Sequence, residues 1–272
     1  MSKFDKYGVG TSLLPTSNGA TVSTNVAAEL ARVAEAAAIG SERAKSILQG
    51  RVARVAVLLD ATGSMAGLLR TAKTAIAEIV TRATAEAEQQ IEIELFVYRD
   101  YDVAQNLVER SGSSSEPQRL ISWLERIEPM GGGANDGEAV EAALDLVVQD
   151  QGFAVVLLAG DEPSNSQNSL AAAGRRNALT ASALAAKLGR AKVAIHSFVI
   201  GSDTRTVADF SQLSNLSGGK SGRLDGSQEM VDLAVMAILA ALKGASGVQS
   251  YVERTSLSAN SQEFAQLLLG SR

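Results

Sequence analysis

The sequence predicts an α/β fold, a doubly wound, mostly parallel six-stranded sheet flanked by helices, with helical arms at the N- and C-termini. Apolar runs of strand length alternate with segments of helical spacing, the pattern of successive βα units. Hydrophobic residues make up 46% of the chain but aromatics only 4%, so the interior is built from Ala, Val, Leu and Ile, which suits helices packed on a buried sheet. A length of 272 residues fits one core, since single cores stop growing near roughly 250–300 residues.

Taken in order, residues 1–50 form an N-terminal arm. Its first part is rich in Ser, Thr, Gly and Asn without periodicity. From Asn25 an Ala-rich helix follows, with Ala27, Leu30, Ala31, Val33, Ala34, Ala37 and Ala38 near one face, and a restart at Ser41-Glu42 ends near Gly50. Residues 51–244 form the principal domain. Val52 to Asp60 reads as a buried parallel strand that stops abruptly at Asp60-Ala-Thr-Gly-Ser-Met65. Leu68 to Ala87 has helical spacing, and Ile91 to Val97 is a second strand, closing a right-handed βαβ unit.

Val103 to Arg110 is short and polar, as an edge strand should be. Helices are expected at 117–127, 138–149, 168–188, 205–216 and 227–242, and strands at 153–159, 192–200 and 222–224. Residues 245–272 read as a Ser- and Asn-rich linker and a short amphipathic helix, Glu263 to Leu269.

In a parallel sheet the segments after Leu59, Val97 and Ala159 emerge at the carboxyl edge, where such folds place ligands. That topology brings Asp60, Asp100 and Asp161 together. The edge strand runs back from this rim and the helix from Pro117 returns to it, so Gly131-Gly-Gly-Ala-Asn-Asp-Gly137 belongs there too. Asp60, Thr62 and Ser64 alternate around Gly63, so a tight turn aims one carboxylate and two hydroxyls at one point. Hard oxygen donors of this kind suit Mg²⁺, Mn²⁺ or Ca²⁺ rather than Zn²⁺.

Asp60-Ala-Thr-Gly-Ser64 resembles the Asp-x-Ser/Thr-x-Ser motif of von Willebrand factor A domains, their metal-ion-dependent adhesion site, with strand, motif and helix in the family's order. Tyr98-Arg-Asp100 and Gly160-Asp-Glu-Pro163 resemble the variant attached to some α-kinases. The resemblance spans roughly residues 51–242. It implies direct binding of the cation by the two hydroxyls, carboxylates often acting through water, and a last position filled by an acidic side chain of a partner protein. The second loop departs from the pattern, since Ala134 stands where the family offers a threonine. Asn135 or Asp136 is the expected replacement, and Asp161 is the acid of the third loop.

Other chemistries fail on specific residues. No Gly-Lys-Ser/Thr follows glycines 131–133, so they do not read as a phosphate cradle. His196, the sole histidine, lies inside a strand run, which removes a Ser-His-Asp triad and reads as a core histidine. A haloacid dehalogenase-type phosphatase needs a carboxylate where this chain has Thr62, and the 60–64 loop is one residue too long for an aspartic protease. A net charge of −5 and no basic run argue against nucleic acid. The charged first residues and the lack of roughly 18 uninterrupted apolar residues argue for a cytoplasmic protein without a membrane partner. The expected function is a non-enzymatic, metal-dependent protein-interaction module within a larger assembly. By family analogy it stands beside an AAA+ ATPase or kinase, with self-association through the terminal arms. The alternatives are a metal-independent scaffold and a metal-assisted hydrolase, the latter without an evident general base.

Overall fold

The computed structural model describes residues 52–103, 105–132 and 137–270. The N-terminal arm and the expected second-loop ligands Asn135 and Asp136, with Gly133 and Ala134, lie outside these residues.

The chain starts its sheet with β1 (Val52–Asp60), passes a 3-10 turn at Gly63–Met65, and returns along α1 (Ala66–Ala87) to β2 (Gln90–Tyr98). Then come β3 (Val108–Arg110), α2 (Pro117–Leu124), α3 (Val140–Asp150), β4 (Phe153–Gly160), α4 (Gln167–Ala172) and α5 (Ala181–Arg190). The last elements are β5 (Ala194–Val199), α6 (Thr204–Ser217), β6 (Ser221–Arg223), α7 (Ser227–Arg254) and α8 (Ala259–Leu269). The strands form one sheet in the order β3-β2-β1-β4-β5-β6. All pairings are parallel except β2 with β3.

Side chains alternate across this sheet because successive Cβ atoms point to opposite faces. On β1, Val55, Val57 and Leu59 enter the layer shared with α1, α2, α7 and α8, whereas Ala56 and Leu58 enter the layer shared with α3, α5 and α6. Both faces are therefore dry, which explains why β1, β2 and β4 read as near-continuous apolar runs. Helix α1 follows the same logic: Leu68, Leu69, Ala72, Ala75, Ile76, Ile79, Val80, Ala83 and Ala87 form its buried stripe.

Several boundaries differ from the sequence reading. The edge strand is confined to Val108–Arg110, because only these residues reach register with Phe96–Tyr98. The single helix expected over 168–188 is two. Gly174 takes a positive φ of 75°, and Thr180 restarts the chain by accepting a hydrogen bond from the Ala183 N–H.

The expected linker after Gly247 is helical. The chain bends at Gly244, where φ is 66°, and then continues because Val248 and Tyr251 bury against the core. Tyr251 donates to the buried Asp232 carboxylate at 2.8 Å. Arg82 of α1 donates to the Tyr251 hydroxyl at 3.2 Å. Helix α7 is long and apolar enough to cross a bilayer by length and composition, with a mean hydropathy of 1.7. Here its first half, Met230 to Leu239, is a core helix packed against α1 and the sheet.

Candidate functional site

In a sheet of this order the chain runs to one side from β1 and to the other from β4, so the carboxyl ends of these neighbours border the crevice where ligands bind. Asp60 is the last residue of β1, and Asp161 follows directly after β4. The adjacency of β1 and β4, with Leu59 opposite Ala159, sets the two acids side by side.

The first loop is wound around the Asp60 carboxylate. Oδ1 accepts from the Thr62 N–H at 2.8 Å and from its hydroxyl at 2.6 Å. The Thr62 and Ser64 hydroxyls lie 3.3 Å apart. One carboxylate and two hydroxyls thus meet as the alternation of residues 60, 62 and 64 predicts. Asp60 and Thr62 are buried, whereas Ser64 is exposed, so the cluster opens outward through Ser64.

The second loop docks on the first through its backbone. Met130 N–H donates to Ala61 O at 3.0 Å, and Gly63 N–H donates to Gly131 O at 3.1 Å. Gly131 has φ 78°, and a Cβ there would stand 2.6 Å from Asp102 Oδ1, so only glycine lets the loop approach this closely. The third loop is held from the other side. Thr206 donates its hydroxyl to Asp161 O at 2.8 Å, and Ile200 N–H donates to Gly160 O at 3.0 Å. Gly160 itself is a contact point: a Cβ there would meet the Tyr98 hydroxyl at 2.5 Å and Asp60 Oδ2 at 3.3 Å.

Asp161 lies close enough to Asp60 for its charge to disfavour ionisation of the Asp60 carboxyl. Both Asp60 Oδ2 and Asp161 Oδ1 are buried without a hydrogen-bond partner among the described residues. Burial pushes the Asp60 carboxyl up to about 7, and the facing Asp161 adds to the rise. Adjacent buried acceptors of this kind need either a proton or a cation between them.

Glu138 is the acid that sequence reasoning missed. It is buried, and its Oε2 also lacks a partner among the described residues. Burial first, then the charges of Asp60, Asp100, Asp161 and Asp102, push its carboxyl up to about 9. Its N–H donates to Pro163 O at 2.8 Å, and the next residue's N–H donates to Arg99 O at 2.9 Å. The position before α3 looks locally like any acid favoured at a helix start. The available signal was its place directly after Gly137 in a loop already assigned to the rim.

Asp100, Arg99 and His196 make structural contacts. Asp100 Oδ1 accepts from the Tyr101 N–H at 2.6 Å. The Arg99 guanidinium turns away from the site, to Asn106 O, Glu128 O and Glu109. His196 lies in β5 opposite Leu157, accepts from the Lys220 N–H at Nδ1, and is held down to about 4 by burial.

Among the described residues no three Asp, Glu, His or Cys side chains meet in metal-ligand geometry. A cation here would therefore rest on hydroxyls as much as on carboxylates, the hard-oxygen set of Asp60, Thr62, Ser64 and Asp161. The orphaned oxygens of Asp60 and Asp161 fit such an ion.

Among solved structures the chain is similar to the conserved hypothetical protein BatB from Bacteroides thetaiotaomicron. That match has 14% identity and a TM-score of 0.50, over 70% of this chain and 99% of that one. Proximal thread matrix protein 1 from the mussel byssus matches with 15% identity and a TM-score of 0.50, over 70% of this chain and 48% of that one. The SpRpn10 VWA domain matches with 10% identity and a TM-score of 0.47, over 68% and 94%. The matches at a TM-score of 0.50 share the doubly wound, mostly parallel α/β fold described above. No family model matches the sequence, and no curated protein matches it. At these identities the likeness is one of fold, and the rim is described from the chain's own residues.

Proposed function

We propose that this vWA-like domain is a cation-dependent protein-interaction module whose binding point is the rim formed by Asp60, Thr62, Ser64 and Asp161. The observation that carries the reading is two buried carboxylate oxygens at the adjacent ends of β1 and β4, Asp60 Oδ2 and Asp161 Oδ1, neither with a hydrogen-bond partner among the described residues. Leaving such groups unpaired costs stability. Their retention at the ligand crevice of the sheet supports a bound ion.

A divalent cation at this point, Mg²⁺ or its analogues Mn²⁺ and Ca²⁺, would neutralise the carboxylates and offer a position to an oxygen of a partner. Thr62 and Ser64 would present neutral oxygens to it, and the Asp60 carboxylate is already oriented by its two bonds from Thr62. The resemblance assigns the partner group to an acidic side chain and places such domains in multiprotein assemblies beside ATPases or kinases. In this reading the role is binding, and the burial of the sole imidazole in β5 speaks against a Ser-His pair with Thr62 or Ser64.

The test is protein capture from native lysate, with and without chelator, by the wild-type chain and by Asp60→Ala. Capture that needs both the divalent ion and Asp60, with an unchanged circular-dichroism spectrum, supports the reading. Capture indifferent to both overturns it.

A further inference from the structure

We propose that Glu138 is the second loop's contribution to the cation site, an acidic positioning residue that lets the isolated chain hold its ion before any partner arrives. The inference rests on the cation-binding reading of the rim and deepens it. The Ala134 side chain carries no oxygen, so a side-chain contribution from the second loop falls to another residue, Asn135 or Asp136 or the Glu138 that closes the loop.

The geometry supplies that route. A Cβ built on Gly132 would stand 3.1 Å from Thr62 Cβ and 3.4 Å from Glu138 Oε1. The Glu138 carboxyl and the Cβ and methyl of Thr62 therefore border the same small space at the bare Cα of Gly132, while the Thr62 hydroxyl turns to Asp60. Glu138 is only 5% exposed, and its Oε2 is enclosed without a partner among the described residues. Its backbone is fixed from two sides: it donates to Pro163 O at 2.8 Å and pairs with Ser164 in a bridge, while Ala139 is tied to Arg99 O. It thus stands where the first, second and third loops meet, beside Asp60 and Asp161.

A carboxylate kept here brings a third negative charge to the site. It acts from behind the donors, since no three acidic side chains among the described residues meet as direct ligands. Groups that orient ligands or their bound waters from this position commonly set metal affinity by 10- to 100-fold. The resemblance has a partner bring in an additional acidic group. Here the chain carries one of its own.

The experiment is calorimetric titration of the chelator-treated full chain with Mg²⁺ and with Mn²⁺, alongside melting of the metal-free proteins. Wild type should bind one ion, Glu138→Gln should bind it about 10- to 100-fold more weakly, Glu138→Asp should recover part of the loss, and Asp60→Asn should abolish binding. The metal-free melting temperature of Glu138→Gln should equal or exceed that of wild type, because a buried oxygen without a partner is replaced by an amide that can donate. Wild-type affinity in Glu138→Gln, with binding lost in Asp60→Asn, would overturn the role of Glu138 and leave the site standing. A metal-free melting temperature that falls together with affinity would assign Glu138 to structure alone. Failure of the wild-type chain to bind either ion would overturn the site and this inference together.

Discussion

A carboxylate whose outer oxygen is buried against a second carboxylate works against folding, and Asp60 is such a group. Asn at this position keeps an Oδ1 to accept from Thr62 and gains an amide that can donate toward Asp161. Asp60→Asn should therefore raise metal-free stability by roughly 1–3 kcal/mol at pH 8, while losing the increase in melting temperature that Mg²⁺ gives the wild type. Scanning calorimetry with chelator and with Mg²⁺ checks both halves, and a less stable metal-free variant would count against the account.

His196 makes the opposite case, a titratable group that serves the core. Its imidazole accepts a proton near 6.5 when unfolded but only at about 4 when folded. Between these values the unfolded chain binds more protons, so this contribution is fully present above about 6.5 and is lost as pH falls through about 4. The loss amounts to roughly 3 kcal/mol. Urea unfolding at pH 7 and pH 4 should show that loss in wild type relative to His196→Asn, whose side-chain oxygen can still accept from Lys220. Equal pH slopes in the two proteins would show that His196 is not buried in its neutral form.

At the scale of elements, the C-terminal segment is part of the core. Phe264 of α8 is buried, with ring centroids 5.8 Å from His196 and 5.4 Å from Phe198. Phe264→Ala should cost about 3–5 kcal/mol, visible as a lower urea midpoint, whereas an appended helix would lose almost nothing. Sequence reasoning placed this helix but shortened it, and took the chain before it as a linker. The reason is local: Lys243-Gly-Ala-Ser-Gly247 carries the residues that end helices, and only the burial of Val248 and Tyr251 beyond it keeps the chain helical. The break between α4 and α5 was hidden in the reverse way, because Ala and Leu spacing continues through a turn that Gly174 makes. Strand ends were legible since apolar runs stop sharply at Asp60 and at Gly160-Asp161. Glu138 was not legible, because its importance lies in contacts with Pro163 and Arg99 that only the folded loops create.

For the whole molecule, the strand order β3-β2-β1-β4-β5-β6 does the work of assembly. It sets the ends of β1 and β4 beside each other, so residues a hundred positions apart share one crevice, and this juxtaposition followed from the alternation of strands and helices alone. An ion bound only by the folded chain stabilises it by mass action, about 2.7 kcal/mol at a hundredfold excess over the dissociation constant. Added Mg²⁺ should therefore raise the melting temperature until the site saturates, and Thr62→Val should blunt the effect by removing one neutral donor. A rise of equal size in Thr62→Val would place the ion elsewhere. The most direct measurement is an anomalous difference map from crystals of the chain grown with Mn²⁺. The account predicts one peak, within bonding reach of the hydroxyls of Thr62 and Ser64 and beside the carboxylates of Asp60 and Asp161. A map with no peak at that rim, at Mn²⁺ concentrations that saturate the thermal effect, would contradict it.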